Sequence, residues 1–282
     1  MNTPIYPYGH FYSPIVDTDD VVTRANAIWE EHASIKGIDF DADKHLEILD
    51  SWFPEFIADY DYPDHGDPTT PCGYFNLNDQ FSWLDARALF VLLRKLRPAR
   101  FIEVGSGFSS LLVADVNSRF FDARMDFTCI EPFPREFLRQ GISGLSRLIV
   151  EKVQDVALDV FLQLEAGDIL FIDSSHVAKT GSDVLHLFFN VLPNLKPGVL
   201  IHIHDVFLPA EYPKEWVIDQ NRSWNEQYLL HALLMFSNRF RVVFGSAYAA
   251  QVHGTNVVKA LAQPDGHGMS GGSFWIEVEG AR

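Results

Sequence analysis

The stretch RFIEVGSGFSSLLVADV, residues 100–116, decides how the rest of the sequence is interpreted. An apolar run through Glu103 and Val104 is followed by Gly-Ser-Gly, and then by apolar residues at helical spacing. Glycine has no Cβ, so it tolerates positive φ and lets a ligand approach the backbone. The first turn of the following helix offers unpaired N–H groups. The stretch therefore predicts a strand–turn–helix unit that holds a nucleotide-like ligand.

Strand and helix patterns alternate along the rest of the chain. The predicted strands lie in FIEV at 101–104, DFTCIEP at 126–132, SRLIVEKVQDV at 146–156, DILFIDSSH at 168–176, GVLIHIHDV at 198–206, FRVVFGS at 240–246 and SGGSFWIEVEG at 270–280. Helical patterns separate most of them. This alternation predicts an α/β, Rossmann-like fold with a mostly parallel sheet and helices on both faces.

The chain before this pattern differs in composition and has no strand pattern. Residues 1–74 are aromatic and acidic, with helical spacing over Asp17–Lys36 and His45–Ile57. We interpret them as a helical or irregular appendage or lid that precedes a domain at 75–282. That domain begins with the helical stretch SWLDARALFVLLRKLRP, in which Ser82 and Asp85 resemble a capping box and Pro98 ends the helix.

Composition narrows the class of protein. Lys and Arg total 22 and Asp and Glu total 38, which gives a net charge of −16 over 282 residues. This charge opposes non-specific binding to nucleic acid. The two cysteines, Cys72 and Cys129, form neither a disulfide framework nor a cysteine-based zinc site. No apolar run reaches membrane-spanning length and no secretory signal is present, so we expect a cytoplasmic protein without a membrane partner, in which a homo-oligomer is possible.

Polar residues and one glycine lie at the ends of the predicted strands, at the sheet edge where ligands bind in open α/β sheets. They are Glu103 and Gly105, then Glu131, Gln154 and Asp155, Asp173 and His176, and finally His204 and Asp205. A buried, unpaired carboxylate is costly, so these acids should face a polar cleft.

The acids suggest how a nucleoside would be held. Glu131 follows the second strand and can accept hydrogen bonds from both hydroxyls of a ribose. Asp155 follows the third strand and can accept from an adenine amine, with Val156 packing nearby. A dinucleotide fingerprint would place glycine at position 110, but that residue is Ser110.

Five motifs together resemble the class I S-adenosylmethionine-dependent methyltransferases, in the bacterial small-molecule branch labelled methyltransferase domain 24. They are EVGSGFS at 103–109, CIEPF at 129–133, VQDV at 153–156, DILFIDSSHV at 168–177 and LKPGVLIHIHDVF at 195–207. The resemblance covers about residues 75–282 and implies a seven-stranded sheet with an antiparallel last strand. It implies S-adenosylmethionine as the cofactor, with Ser109 standing where many relatives have glycine. The cofactor-binding residues it implies are Glu103, Gly105, Ser106, Gly107, Ser109, Glu131, Pro132, Gln154, Asp155, Val156 and Asp173.

Methyl transfer needs alignment of the acceptor, and an oxygen acceptor also needs to lose its proton. The fourth and fifth strands are expected to be neighbours, which brings together Asp173, His176, His204 and Asp205 as the candidate catalytic residues. In one hypothesis His204 is the general base and Asp205 or Asp173 orients it. In the other, Asp173, His204 and Asp205 bind a divalent metal that holds the acceptor oxygens. Both hypotheses stay open.

Aromatic residues are the candidates for contact with the acceptor. His10 and Tyr12, in YGHFYSP at 8–14, belong either to an aromatic strip packed on the core or to a lid over the cleft. Tyr212, Trp216 and Trp224 follow the fifth strand and are candidates for stacking on a planar or sugar acceptor.

The sequence thus predicts an S-adenosylmethionine-dependent methyltransferase that acts on a small molecule, at an oxygen atom. One alternative is a metal-dependent oxygenase or hydrolase on the same fold. The sequence His-Ile-His-Asp at 202–205 supports this alternative. Another is a nicotinamide-dependent oxidoreductase, against which the missing third glycine argues.

Overall fold

The computed structural model describes residues 4–30, 34–261 and 271–280. The strands are β1 Arg100–Val104, β2 Asp126–Ile130, β3 Arg147–Ile149, β4 Ile169–Ile172, β5 Leu200–Ile203, β6 Phe240–Gly245 and β7 Phe274–Val278. The α-helices are α1 Thr18–Thr23, α2 Ala25–Ile28, α3 Ala42–Glu47, α4 Phe53–Phe56, α5 Trp83–Leu96, α6 Phe108–Phe120, α7 Glu136–Arg139, α8 Asp159–Leu162, α9 Asp183–His186, α10 Lys214–Ile218, α11 Glu226–Phe236, α12 Ser246–Val252 and α13 Gly254–Leu261. Single π-helical turns at Ile48–Trp52 and Leu187–Val191 continue α3 and α9, and 3₁₀ turns lie at Ile57–Asp59, Val153–Asp155 and Leu192–Asn194.

The seven strands form one sheet in the order β3-β2-β1-β4-β5-β7-β6. The pairings among β1 to β5 are parallel, whereas β7 is antiparallel to both β5 and β6. The predicted fold class is therefore confirmed. The strand order reverses between β1 and β4, so the connections that leave their carboxyl ends run in opposite directions and open a crevice, which is the usual ligand position in such sheets.

The sheet is buried on both faces because its central strands are continuous apolar runs. All residues of β4 and β5 are buried. Phe101 and Phe171 pack on one face, in a cluster with α5 and α6. Ile102 and Leu170 pack on the other face, in a cluster that includes residues of α9 and α11. Helices on both faces leave the strand ends as the polar surface on which a site can be built.

Helix α5 begins after Ser82 and ends at Leu96, as its pattern predicts. The capping-box interpretation of Ser82 and Asp85 is wrong, since the Ser82 side chain caps nothing. The Asp85 carboxylate is buried and accepts hydrogen bonds from the backbone N–H groups of Gly272 (2.8 Å) and Ser273 (2.9 Å). It therefore fixes α5 to the chain that enters β7.

The first seventy residues differ from the predicted appendage in one respect. Ile48, Leu49 and Phe53 are buried in the same core cluster as the sheet. The boundary predicted at residue 74 therefore does not coincide with a division of the core. The helix predicted over Asp17–Lys36 forms only α1 and α2, which meet at Arg24; residues 31–33 of it lie outside the described residues.

None of the helices in the described part of the chain combines the length and the apolar character needed to cross a bilayer.

Two helices that the sequence patterns did not predict, α12 and α13, follow β6. They pack through Ala249, Val257 and Leu261 against the core face that α5 also covers.

Candidate functional site

The turn after β1 brings the backbone of two strand ends into direct contact. Gly105 has φ +80°, and a Cβ at this position would lie 1.8 Å from the carbonyl oxygen of Asp173. Any side chain would therefore clash with the end of β4, in addition to the conformational cost of positive φ. Gly107 differs, because a Cβ there would meet nothing within 4 Å. The turn is packed on one side and open on the other, as a ligand-binding turn must be.

Glu103 stabilises this turn from inside the protein. It is fully buried, and its two carboxylate oxygens accept hydrogen bonds from the hydroxyls of Ser109 and Ser110, each at 2.5 Å. The Cys129 thiol is 3.3 Å from the same carboxylate. Ser109 thus has a defined structural role. Glu103 does not line either cavity at the sheet edge, so it acts on the site only through the turn.

Glu103 makes folding stability depend on pH. Burial raises the pKa of its carboxyl to about 7 in the folded chain, from an ordinary value of 4.5, although the two serine hydroxyls and Cys129 lower it. Between these values the folded protein keeps a proton that the unfolded chain has lost, so stability falls as pH rises. We expect Glu103→Gln, which mimics the protonated form, to flatten this decline by up to ~3 kcal/mol between pH ~5 and ~8.

Urea denaturation at several pH values measures this effect. The matched control is Glu136→Gln, on an exposed glutamate of α7, which should leave the slope unchanged. An identical pH profile for Glu103→Gln and the native chain would show that Glu103 is ionised throughout and would contradict the assignment.

Glu131 lies at the junction of two cavities on the carboxyl edge of the sheet. Its Oε2 accepts from the N–H of Ser106 (3.2 Å) and its Oε1 from the N–H of Phe133 (2.7 Å). Each carboxylate oxygen keeps a further lone pair for a ligand. One cavity has a volume of about 410 Å³ and the other about 570 Å³. The residues that line both are Gly105, Glu131, Asp173, Ser174 and Ser175.

The larger cavity lies beyond the end of β2, and only some of the residues predicted to hold the adenosine line it. Pro132 and Gln154 line it, together with Phe133 and Lys152. Asp155 is exposed and is not among the lining residues, and Val156 is buried in the core cluster beneath. The structure therefore brings Gln154 to the cavity, whereas Asp155 is not placed there.

The smaller cavity contains a cluster of two aspartates and two histidines at the ends of β4 and β5. Nε2 of His176 lies 3.5 Å from Oδ1 of Asp173 and 3.4 Å from Oδ2 of Asp205. Nδ1 of His204 lies 3.5 Å from Oδ1 of Asp173 and 3.7 Å from Oδ1 of Asp205. One ligand atom from each of Asp173, His176 and Asp205 lies within 4.8 Å of the others, a spacing suited to a metal ion. All four residues predicted as catalytic thus converge.

A buried carboxylate lies behind each histidine. Nδ1 of His176 is 3.0 Å from Oε2 of Glu226, and Nε2 of His204 is 3.3 Å from Oδ2 of Asp85. Each imidazole therefore presents its other nitrogen to the two aspartates. Sequence reasoning missed Glu226 and Asp85. For Asp85, the available signal is an acid within the apolar face of α5.

Opposite charges decide the direction of the pKa shift for three members of this cluster, whereas burial raises the pKa of the fourth, Asp205. Burial lowers the pKa of His176, but Asp173 and Glu226 raise it to about 10. Burial likewise disfavours the charged form of His204, yet Asp205, Asp173 and Asp85 hold its pKa well above the ordinary value. Burial works against ionised Asp173, but the two imidazoles keep its pKa well below its usual range. The surroundings thus stabilise the two imidazoles as cations and Asp173 as an anion.

Two members of the cluster adopt backbone conformations that are uncommon outside glycine. His176 and Asp205 both have φ +58°. Such residues cost free energy and are retained where the surrounding structure needs the side chain in a particular direction. Here the direction is inward, toward Asp173.

Other polar residues of β5 and of the chain before β4 have structural contacts. His202 is stacked between Phe171 (4.0 Å) and Trp275 (4.1 Å), and its Nε2 is 2.7 Å from the Ser273 hydroxyl. Asp168 accepts hydrogen bonds from Arg100 at the opposite edge of the sheet.

The predicted acceptor residues separate into two groups. Trp216 and Trp224 line the 410 Å³ cavity. Tyr212 does not; it is buried, and its hydroxyl accepts from the backbone N–H of Gln227 at 2.9 Å. His10 and Tyr12 are also not among the residues that line the cavity. Their exposed segment is joined to the loop before α11 by a hydrogen bond from the Val16 N–H to Ser223 (3.1 Å).

Comparison with known proteins connects this geometry to a family. Residues 102–206 match the methyltransferase-domain family. A stretch of 168 residues is 40% identical to an uncharacterized protein of Archaeoglobus fulgidus, and the match covers 57% of this chain and 74% of that protein. The chain belongs to the class I methyltransferase family. This methyltransferase is accordingly an enzyme that depends on S-adenosylmethionine.

Similar solved structures are more distant from this methyltransferase. A DUF574 family protein from Streptomyces avermitilis has a TM-score of 0.43 at 16% identity, over 69% of this chain and 80% of that one. The 16S rRNA (adenine(1408)-N(1))-methyltransferase from Catenulisporales acidiphilia has a TM-score of 0.31 at 9% identity, over 71% and 95%. At these TM-scores the likenesses carry no argument about the acceptor.

Proposed function

We propose that this methyltransferase transfers a methyl group to an oxygen atom of a small molecule, and that a divalent cation bound at Asp173, His176, His204 and Asp205 holds the acceptor. The observation that carries the proposal is the convergence of two imidazole nitrogens and two carboxylates beside the cofactor turn. An oxygen acceptor needs such a site because its hydroxyl must lose a proton.

The residues at the sheet edge fit S-adenosylmethionine. The hydroxyls of Ser106 and Ser174 are buried without a hydrogen bond in the described part of the chain. Ser106 lines the smaller cavity, and Ser174 lines both. The Glu131 carboxylate is positioned to accept from ribose hydroxyls, while Gly107 leaves its side of the turn open to a ligand. When bound, the cofactor would supply a methyl group on a sulfonium sulfur. Such a methyl carbon is open to direct attack by an oxygen nucleophile, with the sulfur of S-adenosylhomocysteine as the leaving group.

The spacing of the cluster fits a metal better than direct hydrogen bonds. Its four nitrogen–oxygen distances are 3.4 to 3.7 Å, longer than an ordinary hydrogen bond. In a tetrahedral site with bonds of about 2.0–2.1 Å, ligand atoms lie about 3.3–3.4 Å apart. Asp173, His176 and Asp205 each offer a ligand atom within 4.8 Å of the others, whereas His204 lies outside that set of three. Nδ1 of His204 is buried and has no hydrogen-bond partner among the described residues. Glu226 and Asp85 complete the arrangement, since carboxylates commonly orient metal-binding histidines.

The alternative assignment of His204 as the general base has less support. The Nδ1 atom of His204, which a base would need for its proton, is directed at the carboxylates of Asp173 and Asp205. Membership of the methyltransferase family favours methyl transfer over the oxygenase, hydrolase and nicotinamide alternatives.

The acceptor is proposed to be a small molecule because of the cavity and the charge. A volume of about 410 Å³ falls within the range typical of small-molecule sites. A net charge of −16 disfavours a nucleic-acid acceptor. The cytoplasmic location and a homo-oligomer stay predictions.

Calorimetric titration with S-adenosylhomocysteine tests the proposal at Glu131. We expect the native protein to bind stoichiometrically, and Glu131→Ala to weaken affinity about 100-fold, since hydrogen bonds to a charged group contribute ~1.5–3 kcal/mol each. Glu136→Gln is the control, and thermal melting checks that each variant folds. Unchanged affinity in Glu131→Ala would overturn the ribose assignment, and no binding by the native protein would overturn the proposed function.

A further inference from the structure

A half-buried arginine in the loop before α11 lies over two indole rings that meet edge to face. The Arg222 guanidinium carbon is 4.1 Å from the ring centre of Trp216 and 4.6 Å from that of Trp224. The backbone N–H of Arg222 also donates to the carbonyl of Trp216, at 2.9 Å. Contact with both indoles favours a position of the guanidinium on the aromatic surface.

This arginine lacks an acidic partner. No carboxylate of the described residues forms an ion pair with Arg222, whereas Arg94, Arg100 and Arg119 each pair with an aspartate. Other arginines without an ion pair still donate to carbonyl, amide or hydroxyl oxygens, namely Arg97, Arg135, Arg139, Arg147 and Arg239. The Arg222 guanidinium has no such acceptor among the described residues, although the chain has 38 acidic and only 22 basic residues. An arginine without a carboxylate in so acidic a protein has donors available for a ligand.

Arg222 lies close to the proposed reaction site. It lines the 410 Å³ cavity together with Trp216 and Trp224. The Trp224 ring is in turn 4.3 Å from the imidazole of His176. One indole ring therefore separates the guanidinium from the cluster of aspartates and histidines. A ligand that reaches from the cluster to Arg222 would pass along an aromatic surface.

The other charged side chains that line the cavity are acidic, apart from the two histidines and one further arginine. Asp173 and Asp205 face the two histidines, and Glu131 accepts backbone hydrogen bonds on both oxygens. Asp79, also a lining residue, is exposed at the mouth. The second arginine, Arg135, lies 5.0 Å over the ring of Phe108, which follows Gly107 in the cofactor turn. Arg222 is thus the cation associated with the aromatic wall.

We infer that the acceptor is a planar molecule with an anionic group, a carboxylate or a phosphate, which Arg222 binds while the ring packs on Trp224 and Trp216. The inference rests on the proposed function and specifies its substrate class. A guanidinium fork matches the geometry of both anions through paired N–H donors. The main rival role for Arg222 is binding of the cofactor's own carboxylate.

Binding of three related probes separates these roles. Benzoate, phenyl phosphate and the neutral benzamide are titrated calorimetrically into protein saturated with S-adenosylhomocysteine. We expect the native protein to bind the better of the two anions at least ~10-fold more tightly than benzamide, as a charge-assisted contact implies. Which anion binds more tightly identifies the group on the acceptor.

The variant Arg222→Gln should reduce that preference to ~2-fold or less, while its affinity for S-adenosylhomocysteine stays within ~3-fold of the native value. Arg124→Gln is the matched control, because Arg124 is exposed and pairs with Asp122 away from the cavity. The inference is overturned if neither anion is preferred by the native protein, or if Arg222→Gln keeps the preference. It is also overturned if Arg222→Gln loses the cofactor product, which would assign Arg222 to the cofactor. Failure of the native protein to bind S-adenosylhomocysteine would instead refute the proposed function.

Discussion

Replacing Asp205 by asparagine is expected to remove the bound divalent cation and to lower methyl transfer by more than ~100-fold, since even outer partners of metal ligands cost about 10–100-fold. Asp205 lies 3.4 Å from Nε2 of His176 and 3.7 Å from Nδ1 of His204. The substitution removes one negative charge from the centre of the cluster and keeps the shape of the side chain. Asparagine also tolerates the φ of +58° at this position, so the backbone should be retained.

Elemental analysis of dialysed protein measures the cation directly, and a methyl-transfer assay measures its consequence. Asp126→Asn is the matched control, because Asp126 is exposed at the amino end of β2, on the opposite edge of the sheet. Affinity for S-adenosylhomocysteine should stay within ~3-fold in both variants, as Asp205 does not contribute to the proposed cofactor cradle. If native protein holds no metal and keeps full activity in a chelator, the metal proposal fails and His204 regains its place as candidate base.

The donor set also bears on which cation is bound. Two imidazole nitrogens and two carboxylates form a mixed site, whereas magnesium prefers oxygen ligands alone. Imidazole suits zinc, iron and nickel. We therefore expect elemental analysis to find a transition metal rather than magnesium.

The sequence predicted the strands and the convergence of their ends because both depend on local patterns. Each strand is a short apolar run between turn residues, and parallel strands that follow one another place their carboxyl ends at one edge. Asp173, His176, His204 and Asp205 could thus be grouped without coordinates. This part of the prediction used only the order of elements along the chain.

The residues behind the cluster could not be found in that way. Asp85 contacts Gly272 and Ser273, which are remote in sequence, and its spacing from Ser82 imitates a helix cap. Glu226 reaches His176 only because the chain before α11 turns back over the end of β4, where Asn225 and Glu226 donate to the carbonyl of His176. Both contacts are set by tertiary packing, which local periodicity does not encode.

Replacing Gly105 by alanine is expected to abolish detectable binding of S-adenosylhomocysteine and to lower the free energy of unfolding by roughly 3 kcal/mol or more, a loss typical of a strained backbone combined with a steric clash. A Cβ at this position would lie 1.8 Å from the carbonyl oxygen of Asp173. That carbonyl belongs to the backbone, so relief requires the end of β4 to separate from the turn. The separation would displace Asp173 and would spoil both the cofactor turn and the cluster.

The variant Gly141→Ala separates the two causes of the loss. Gly141 has φ +84°, close to the +80° of Gly105, but a Cβ there would meet nothing within 4 Å. It should therefore show only the conformational cost of about 1–2 kcal/mol and unchanged binding of S-adenosylhomocysteine. Urea denaturation and calorimetry on both variants make the comparison. Equal stability of the two would mean that the turn does not pack against β4, and the close approach of Gly105 to Asp173 would then not be the reason for glycine at this position.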